Sequence, residues 1–135
     1  NITKNDKLVL ISNFEWAATG NLFLYTNNNT TNSNYYFQQI SGPSLFAGRY
    51  NYPALQYGTS GDRDYHFTEI KLLKNGYVSY MDISNRLYGT NSLVNFTRYH
   101  ISTFTMTSIT QLDLTGQATN LIASGSRFIL AKAVL

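Results

Sequence analysis

The chain has 135 residues, no cysteine, ten Lys and Arg against seven Asp and Glu, and a formal net charge of +3. That length points to one domain with a core of its own, and the missing cysteine excludes disulfides, thiol catalysis and cysteine-ligated metal together. Hydrophobic residues at 43% and aromatics at 15% argue against disorder, the scattered basic residues form no stripe for nucleic acid, and no apolar run is long enough to predict membrane insertion.

The start, Asn1-Ile2-Thr3-Lys4-Asn5-Asp6-Lys7, has neither an initiator Met nor a signal pattern, and reads as the beginning of a fragment or processed product. From there the residue period is two nearly throughout. Lys7 to Ser12 is a short apolar run suited to a buried strand, and Asn21 to Thr26, after the turn at Gly20, is a second. Between them Phe14 to Ala18 fits either a helical turn or a bulged continuation. Asn27 to Asn34 holds no apolar residue and reads as an exposed loop, because Asn and Ser bond their own backbone. Tyr35 to Ile40 is a strand ended by Ser41-Gly42-Pro43-Ser44. Phe46 to Asp64 reads as irregular connection with one short strand at most, around Arg49 to Tyr52.

Asn75-Gly76 between two strand-like runs, Tyr65 to Lys74 and Tyr77 to Ile83, predicts a hairpin. A two-residue loop would pair Lys74 with Tyr77 and Ile70 with Met81. It would also set Glu69 against Asp82, an unfavourable like-charge pair unless the loop is longer. Asn85 to Ser92 reads as a turn around Gly89, and Leu93 to Phe96 as a short strand. Tyr99 to Thr110 reads as a half-solvated strand with Phe104 and Met106 on one face. Leu112 and Leu114 continue the alternation, Gly116 to Asn120 and Ser124-Gly125-Ser126 turn, and Arg127 to Leu135 forms a last strand. That strand is apolar on both faces apart from Lys132, which suits a central strand or a subunit contact. Eight to ten short strands define an all-β fold: an antiparallel β-sandwich or jelly-roll-like barrel.

Catalytic patterns are sparse. A metal site needs three or four ligands, and Asp62, Asp64 and His66 at i, i+2, i+4 could share one face of a strand, but the spacing is not specific; a solvated rim is the plainer reading, and no metal site is expected. There is no nucleophile elbow and no glycine-rich phosphate loop, so no cofactor is expected. Glu15, Asp62, Asp64, Glu69 and Asp82 could supply a glycosidase pair only if two of them met in space. What stands out is eleven Tyr and one Trp among many neutral amides and hydroxyls. Aromatic faces stack on the C–H faces of sugars, while Asn, Asp, Gln, Arg and His bond to vicinal hydroxyls. The competing reading is that the tyrosines cap the sandwich or fill a subunit contact. The candidate saccharide-binding residues are Asp62, Arg63, Asp64, Tyr65 and His66 in one cluster and Arg98, Tyr99 and His100 in a second. Arg127 at the opening of the last strand could also grip a phosphate, and Trp16 belongs to either core or site.

The cysteine-free Asn/Thr/Ser/Gly/Tyr-rich strands, the neutral loop Asn27 to Asn34, the Lys74-Asn75-Gly76-Tyr77 hairpin and the closing strand Arg127 to Leu135 resemble the receptor-binding head domain of a tailed bacteriophage, of the lactococcal siphophage type. The resemblance spans all 135 residues and rests on texture rather than a diagnostic motif. It implies a homotrimeric β-domain at the virion tail tip, carried by upstream tail domains of the same chain. Such heads bind host cell-wall polysaccharide, often between subunits, through an aromatic, a His, an acid and an Arg, and are not enzymes. An indole platform near the C-terminal strands is missing, because Trp16 lies far upstream. A tail-associated polysaccharide-degrading enzyme and a ligand-free structural tail or capsid domain are the alternatives.

Overall fold

A computed structural model describes residues 1–4, 6–31, 34–41, 44–50, 54–88 and 92–134. Ten strands carry the fold: β1 (Asp6–Glu15), β2 (Gly20–Thr26), β3 (Tyr35–Ser41), β4 (Ser44–Tyr50), β5 (Ala54–Gly58), β6 (Arg63–Leu72), β7 (Val78–Tyr88), β8 (Ser92–Ser102), β9 (Leu112–Gly116) and β10 (Arg127–Val134). They form an antiparallel sandwich of two unequal sheets, in the orders β10-β1-β6-β7-β8-β3-β4 and β5-β2-β9. The expected all-β sandwich is therefore present. The expected turn at Gly42-Pro43, part of the Asn27 to Asn34 loop, and Asn51-Tyr52 fall outside the described residues; of the turn expected over Asn85 to Ser92, Asn85 to Tyr88 belong instead to β7 and Ser92 to β8, and residues 89–91 fall outside.

Several boundaries differ from the sequence reading. The run Phe14 to Ala18 is no helix: β1 continues through Glu15, and Trp16 bridges to Ile122. The stretch from Phe46 contributes two strands, β4 and β5, rather than one. Leu93 to Phe96 and the start of the next predicted strand are one strand, β8, which stops at Ser102. Residues 103–111 carry only an isolated bridge at Ile109. The alternation of Thr103 to Thr107 survives in sequence, but here the chain leaves the large sheet for β9 in the small one and cannot stay in the ladder.

The hairpin is also one residue longer than expected. Leu72 pairs with Val78 and Thr68 with Asp82. Gly76 N–H donates to the Leu73 carbonyl at 2.9 Å, Leu73 N–H donates to the Tyr77 carbonyl at 2.8 Å, and only Gly76 takes a positive φ, +88°. This is the turn-plus-left-handed-glycine form of hairpin rather than the two-residue form. A one-residue change of register exchanges the faces: Met81 and Ile83 point outward, while Tyr80 and Asp82 join Ile70 inside. It also dissolves the like-charge pair, since Asp82 now faces Thr68.

The core lies between the sheets around Phe14, Trp16, Leu22, Leu24, Tyr25, Tyr35, Leu55, Ile70, Leu72, Val78 and Tyr80. Its tyrosines bring partners for their hydroxyls. Tyr35 Oη donates to the Asn29 carbonyl at 2.8 Å, and Tyr80 Oη lies 2.9 Å from Thr26 Oγ1. Asn27, expected on an exposed loop, is a tie: its amide donates to the Ser108 carbonyl at 2.9 Å and accepts from Thr110 N–H at 2.8 Å. The last strand is not central. β10 is an edge strand with Phe128, Ile129 and Leu130 exposed by 37–57%.

Gly58 sits against the Trp16 ring so closely that an added Cβ would lie 2.2 Å from a ring carbon. The indole is fixed by its own hydrogen bond to Asp64 and cannot swing away. Gly58→Ala is therefore expected to cost about 3 kcal/mol, the upper end for overpacking, read as a lowered urea midpoint at unchanged m-value.

Candidate functional site

Strand alternation decides the fate of the predicted residues. In β6, Asp64 and His66 point into the sandwich and are buried, whereas Arg63 and Tyr65 point out. In β8, Arg98 and His100 point in and Tyr99 points out. Asp62 is also buried, where its carboxylate accepts from Thr59 N–H at 3.1 Å and Thr59 Oγ1 at 2.7 Å and closes the turn before β6. Trp16 is buried and Arg127 exposed. Six of the ten candidates (Trp16, Asp62, Asp64, His66, Arg98 and His100) are thus interior groups and do not meet a saccharide on the surface. This departs from the sequence reading, which could not tell a turn rim from the inner face of a strand.

The inward residues form cross-strand rows. One runs Phe14, Asp64, Arg86; the next Ser12, His66, Ser84, Phe96; the third Leu10, Thr68, Asp82, Arg98, Gln39. Arg86 grips Asp64 bidentately, Nε to Oδ1 at 2.8 Å and Nη2 to Oδ2 at 2.6 Å, while Trp16 Nε1 donates to Asp64 Oδ2 at 2.6 Å. Asp82 accepts from Thr68 Oγ1 at 2.8 Å and from Arg98 Nη1 at 3.1 Å, with His66 Nδ1 3.0 Å from both of its oxygens. Arg98 is completed by Ser84, Gln39 and, from the opposite sheet, Gln56. His66 links the two lobes, its Nε2 lying 3.9 Å from Asp64 Oδ2, and Phe14 stacks on its ring. With His66 protonated, three carboxylates (Asp62, Asp64, Asp82) balance two guanidiniums and one imidazolium.

Burial pushes Asp64 upward, but the Arg86, His66 and Trp16 hydrogen bonds win and hold it at about 2. Asp82 is lowered in the same way, by His66 and Arg98 against burial. Burial works against the His66 charge, yet Asp82 and Asp64 raise its pKa. His100 goes the other way: burial, only partly offset by Asp82 and reinforced by Arg98, lowers it to about 4. The His–Asp contacts resemble a proton relay in type, but they are sealed between the sheets. Among the described residues no group of three or more His, Asp or Glu could hold a metal ion.

The open feature is elsewhere. A cleft of about 250 Å³ is lined by Asn13, Phe14, Glu15, Arg63, Tyr65, Ser124, Gly125 and Ser126. Its walls are the outer faces of β1 and β6 and the turn before β10. The turn is anchored: Ala123 N–H donates to the Glu15 carbonyl at 2.8 Å, Glu15 N–H donates to Ser126 Oγ at 3.3 Å, and Gly125 takes φ +89°. Arg63 Nε donates to Glu15 Oε2 at 3.0 Å across the cleft, with both side chains about half exposed. Tyr65 presents a ring 54% exposed, and Arg127 is register partner of Asn13 at the rim. The structure thus brings together Arg63, Tyr65 and Arg127 from the sequence candidates. Tyr99 is exposed but lies two strands away, on β8. Sequence reasoning missed Asn13, Ser124 and Ser126 as site residues and named Glu15 only as a possible glycosidase acid, although Ser124-Gly125-Ser126 was legible as a turn. The pairing of β1 with β6 that closes the cleft spans some 50 residues and leaves no local mark.

No protein-family model, no curated protein and no solved structure matches this chain.

Two outcomes follow from the buried network. Asp82→Ala leaves Arg98 and His66 as uncompensated interior charges and is expected to destabilise the fold by about 3–5 kcal/mol, measured by urea denaturation. Stability is expected to peak near pH 6.5. Below it, the unfolded chain takes up the His100 proton at about 6.5 while the folded chain refuses it until about 4, so stability falls with acid. Asp64 adds a further loss between its unfolded value and about 2. Above it, the raised His66 releases its proton as pH passes the folded pKa, and the stability it gives below the unfolded value is lost. Urea midpoints from pH 4 to 9 check this, and His100→Gln should flatten the limb between pH 6.5 and 4; a profile without a maximum would contradict the assignment.

Proposed function

We propose that this chain is a non-enzymatic adhesion module that recognises a cell-surface saccharide through the cleft between Tyr65, Arg63, Glu15, Asn13 and the Ser124–Ser126 turn. The observation that carries the reading is the half-exposed Tyr65 ring beside a paired guanidinium and carboxylate and a neutral amide, all on one open cleft. The ring offers a stacking platform for a sugar C–H face. The Arg63–Glu15 pair presents a donor and an acceptor at fixed separation, suited to neighbouring hydroxyls. Because the pair neutralises itself, the cleft selects for a polar uncharged ligand, while Arg127 at the rim adds affinity for a phosphate substituent.

Catalysis has little support in the same geometry. Asp64 and Asp82, whose pKa values their cationic partners lower, are sealed, and Glu15, the acid in the cleft, is tied to Arg63. In keeping with the resemblance to phage receptor-binding heads, the module would sit at the tail tip, held by upstream tail domains, and attach to host cell-wall polysaccharide. Single contacts of this kind are weak, and display of several copies raises avidity by orders of magnitude.

Binding to an array of bacterial cell-wall polysaccharides tests the proposal. Tyr65→Ala is expected to reduce the bound signal at least tenfold, about 1.4 kcal/mol, and Arg63→Ala and Arg127→Ala less. His100→Gln should leave binding unchanged at neutral pH, because His100 is interior. Equal binding by wild type and Tyr65→Ala would overturn the site, and release of new reducing ends would overturn the non-enzymatic reading.

A further inference from the structure

Asparagine is among the residues least favoured in strands, yet three stand in one cross-strand row on the outer face of the large sheet. Asn13 of β1 pairs with Tyr65 of β6, Tyr65 with Asn85 of β7, and Asn85 with Asn95 of β8, while Arg127 of β10 opens the row beside Asn13. All five side chains are exposed. At about 4.8 Å per strand the row is about 19 Å long. Elsewhere the amides are structural: Asn27 ties Ser108 to Thr110, and Gln39 and Gln56 complete Arg98. The amides of Asn13, Asn85 and Asn95 have no hydrogen-bond partner among the described residues. They hold nothing in the fold, and three poor strand formers in register call for a role outside it. Only Asn13 and Tyr65 belong to the cleft. Beyond them the row is bordered by Leu87 and its partner Leu93, 67% exposed, on one side and by Ile83, 48% exposed, and its partner Thr97 on the other.

We propose that the cleft is one end of a longer track, floored by Asn85 and Asn95, and that its ligand is a linear, largely uncharged glycan held over at least three consecutive sugar units. The proposal rests on the cleft being a saccharide site and adds the extent and direction of the ligand, which runs across the strands from the Ser124–Ser126 turn toward β8. Each sugar unit of an extended glycan advances the chain by a distance on the order of one strand spacing, so successive units meet Tyr65, Asn85 and Asn95 in turn. A carboxamide presents two donor hydrogens and an acceptor oxygen without charge, which suits neighbouring hydroxyls, while the Leu87–Leu93 and Ile83 borders meet the C–H surfaces of the rings. Within the row the single charge is Arg127, at the β10 end, so an acidic substituent is accommodated there and not further along. Other polymers fit less well. An extended peptide could build no ladder along the row, because β6, β7 and β8 are interior strands already paired on both sides. A nucleic acid or an anionic lipid surface needs a run of cations, where the row has one.

The dependence of affinity on ligand length provides the test. The probe is bacterial cell-wall polysaccharide that binds on the array, partly hydrolysed and separated into fragments of one to about eight sugar units. Affinity for wild type is expected to rise about tenfold from two units to four, the net worth of one or two added hydrogen bonds, and to level off once the track is filled. In the double variant Asn85→Val/Asn95→Val the rise should shrink to about twofold or less. Because Val favours strands where Asn does not, the same variant should show a higher urea midpoint than wild type, a direction that a structural role for the amides would reverse. A wild-type affinity that does not change with length, a variant that keeps the full rise, or a variant less stable than wild type would each overturn the track and leave the cleft standing. Failure of every fragment to bind wild type would instead overturn the cleft, and the track with it.

Discussion

Asp64 and Asp82 face the interior of the sandwich, and everything around them is arranged so that neither is left without a counter-charge. Taking a carboxylate out of water costs several kcal/mol even after relaxation, and this fold does it twice on adjacent strands. The cost is met by bidentate Arg86 on one side and by Arg98, Thr68 and His66 on the other. Such interiors seldom add net stability over an apolar packing of equal volume. What they add here is intolerance of error. Moving the β6–β7 pairing by one residue would put Asp82 outside and Met81 in its place, stranding Arg98 and His66. A purely apolar interior would resist the same slip less, because Met81 and Tyr80 are both acceptable core residues.

The same constraint links the two sheets. Gln56 of β5 reaches Arg98, and Trp16, at the end of β1, reaches Asp64 while its ring lies on Gly58. Polar contacts therefore cross the sandwich, from Gln56 to Arg98 and from Thr26 to Tyr35 and Tyr80, while Leu24, Leu55, Ile70, Leu72 and Val78 fill it with apolar contacts. The small three-stranded sheet can hold its position over a sheet of seven because these hydrogen bonds are directional, where dispersion contacts alone would let it slide.

The all-β class, most strand positions and the Asn75-Gly76 turn were legible because alternation and turn chemistry are local. What failed was whatever depends on register. Asp64-Tyr65-His66 has the composition of a polar rim, and only the pairing partners Arg86 and Ser84 reveal that two of the three are interior. The unfavourable Glu69–Asp82 contact implied by a two-residue loop was the one sequence signal that the register was off by one. The alternation of residues 103–111 misled for the opposite reason: a segment crossing between sheets can keep a period of two without a ladder. Likewise, the closing strand's apolar composition suggested a central strand or a subunit contact, and composition alone did not reveal that β10 lies at the sheet edge with Phe128, Ile129 and Leu130 exposed.

Alternation also explains why the surface divides as it does. With the inner face holding the charges, the outer face of the large sheet retains Ile11, Phe67, Ile83 and Ile129, an inversion of the usual polar-out pattern of antiparallel sheets. Tyr65 sits one residue pair from Phe67 along β6, about 7 Å, so the open cleft and the apolar row share a border, with Asn13 and Arg127 along it.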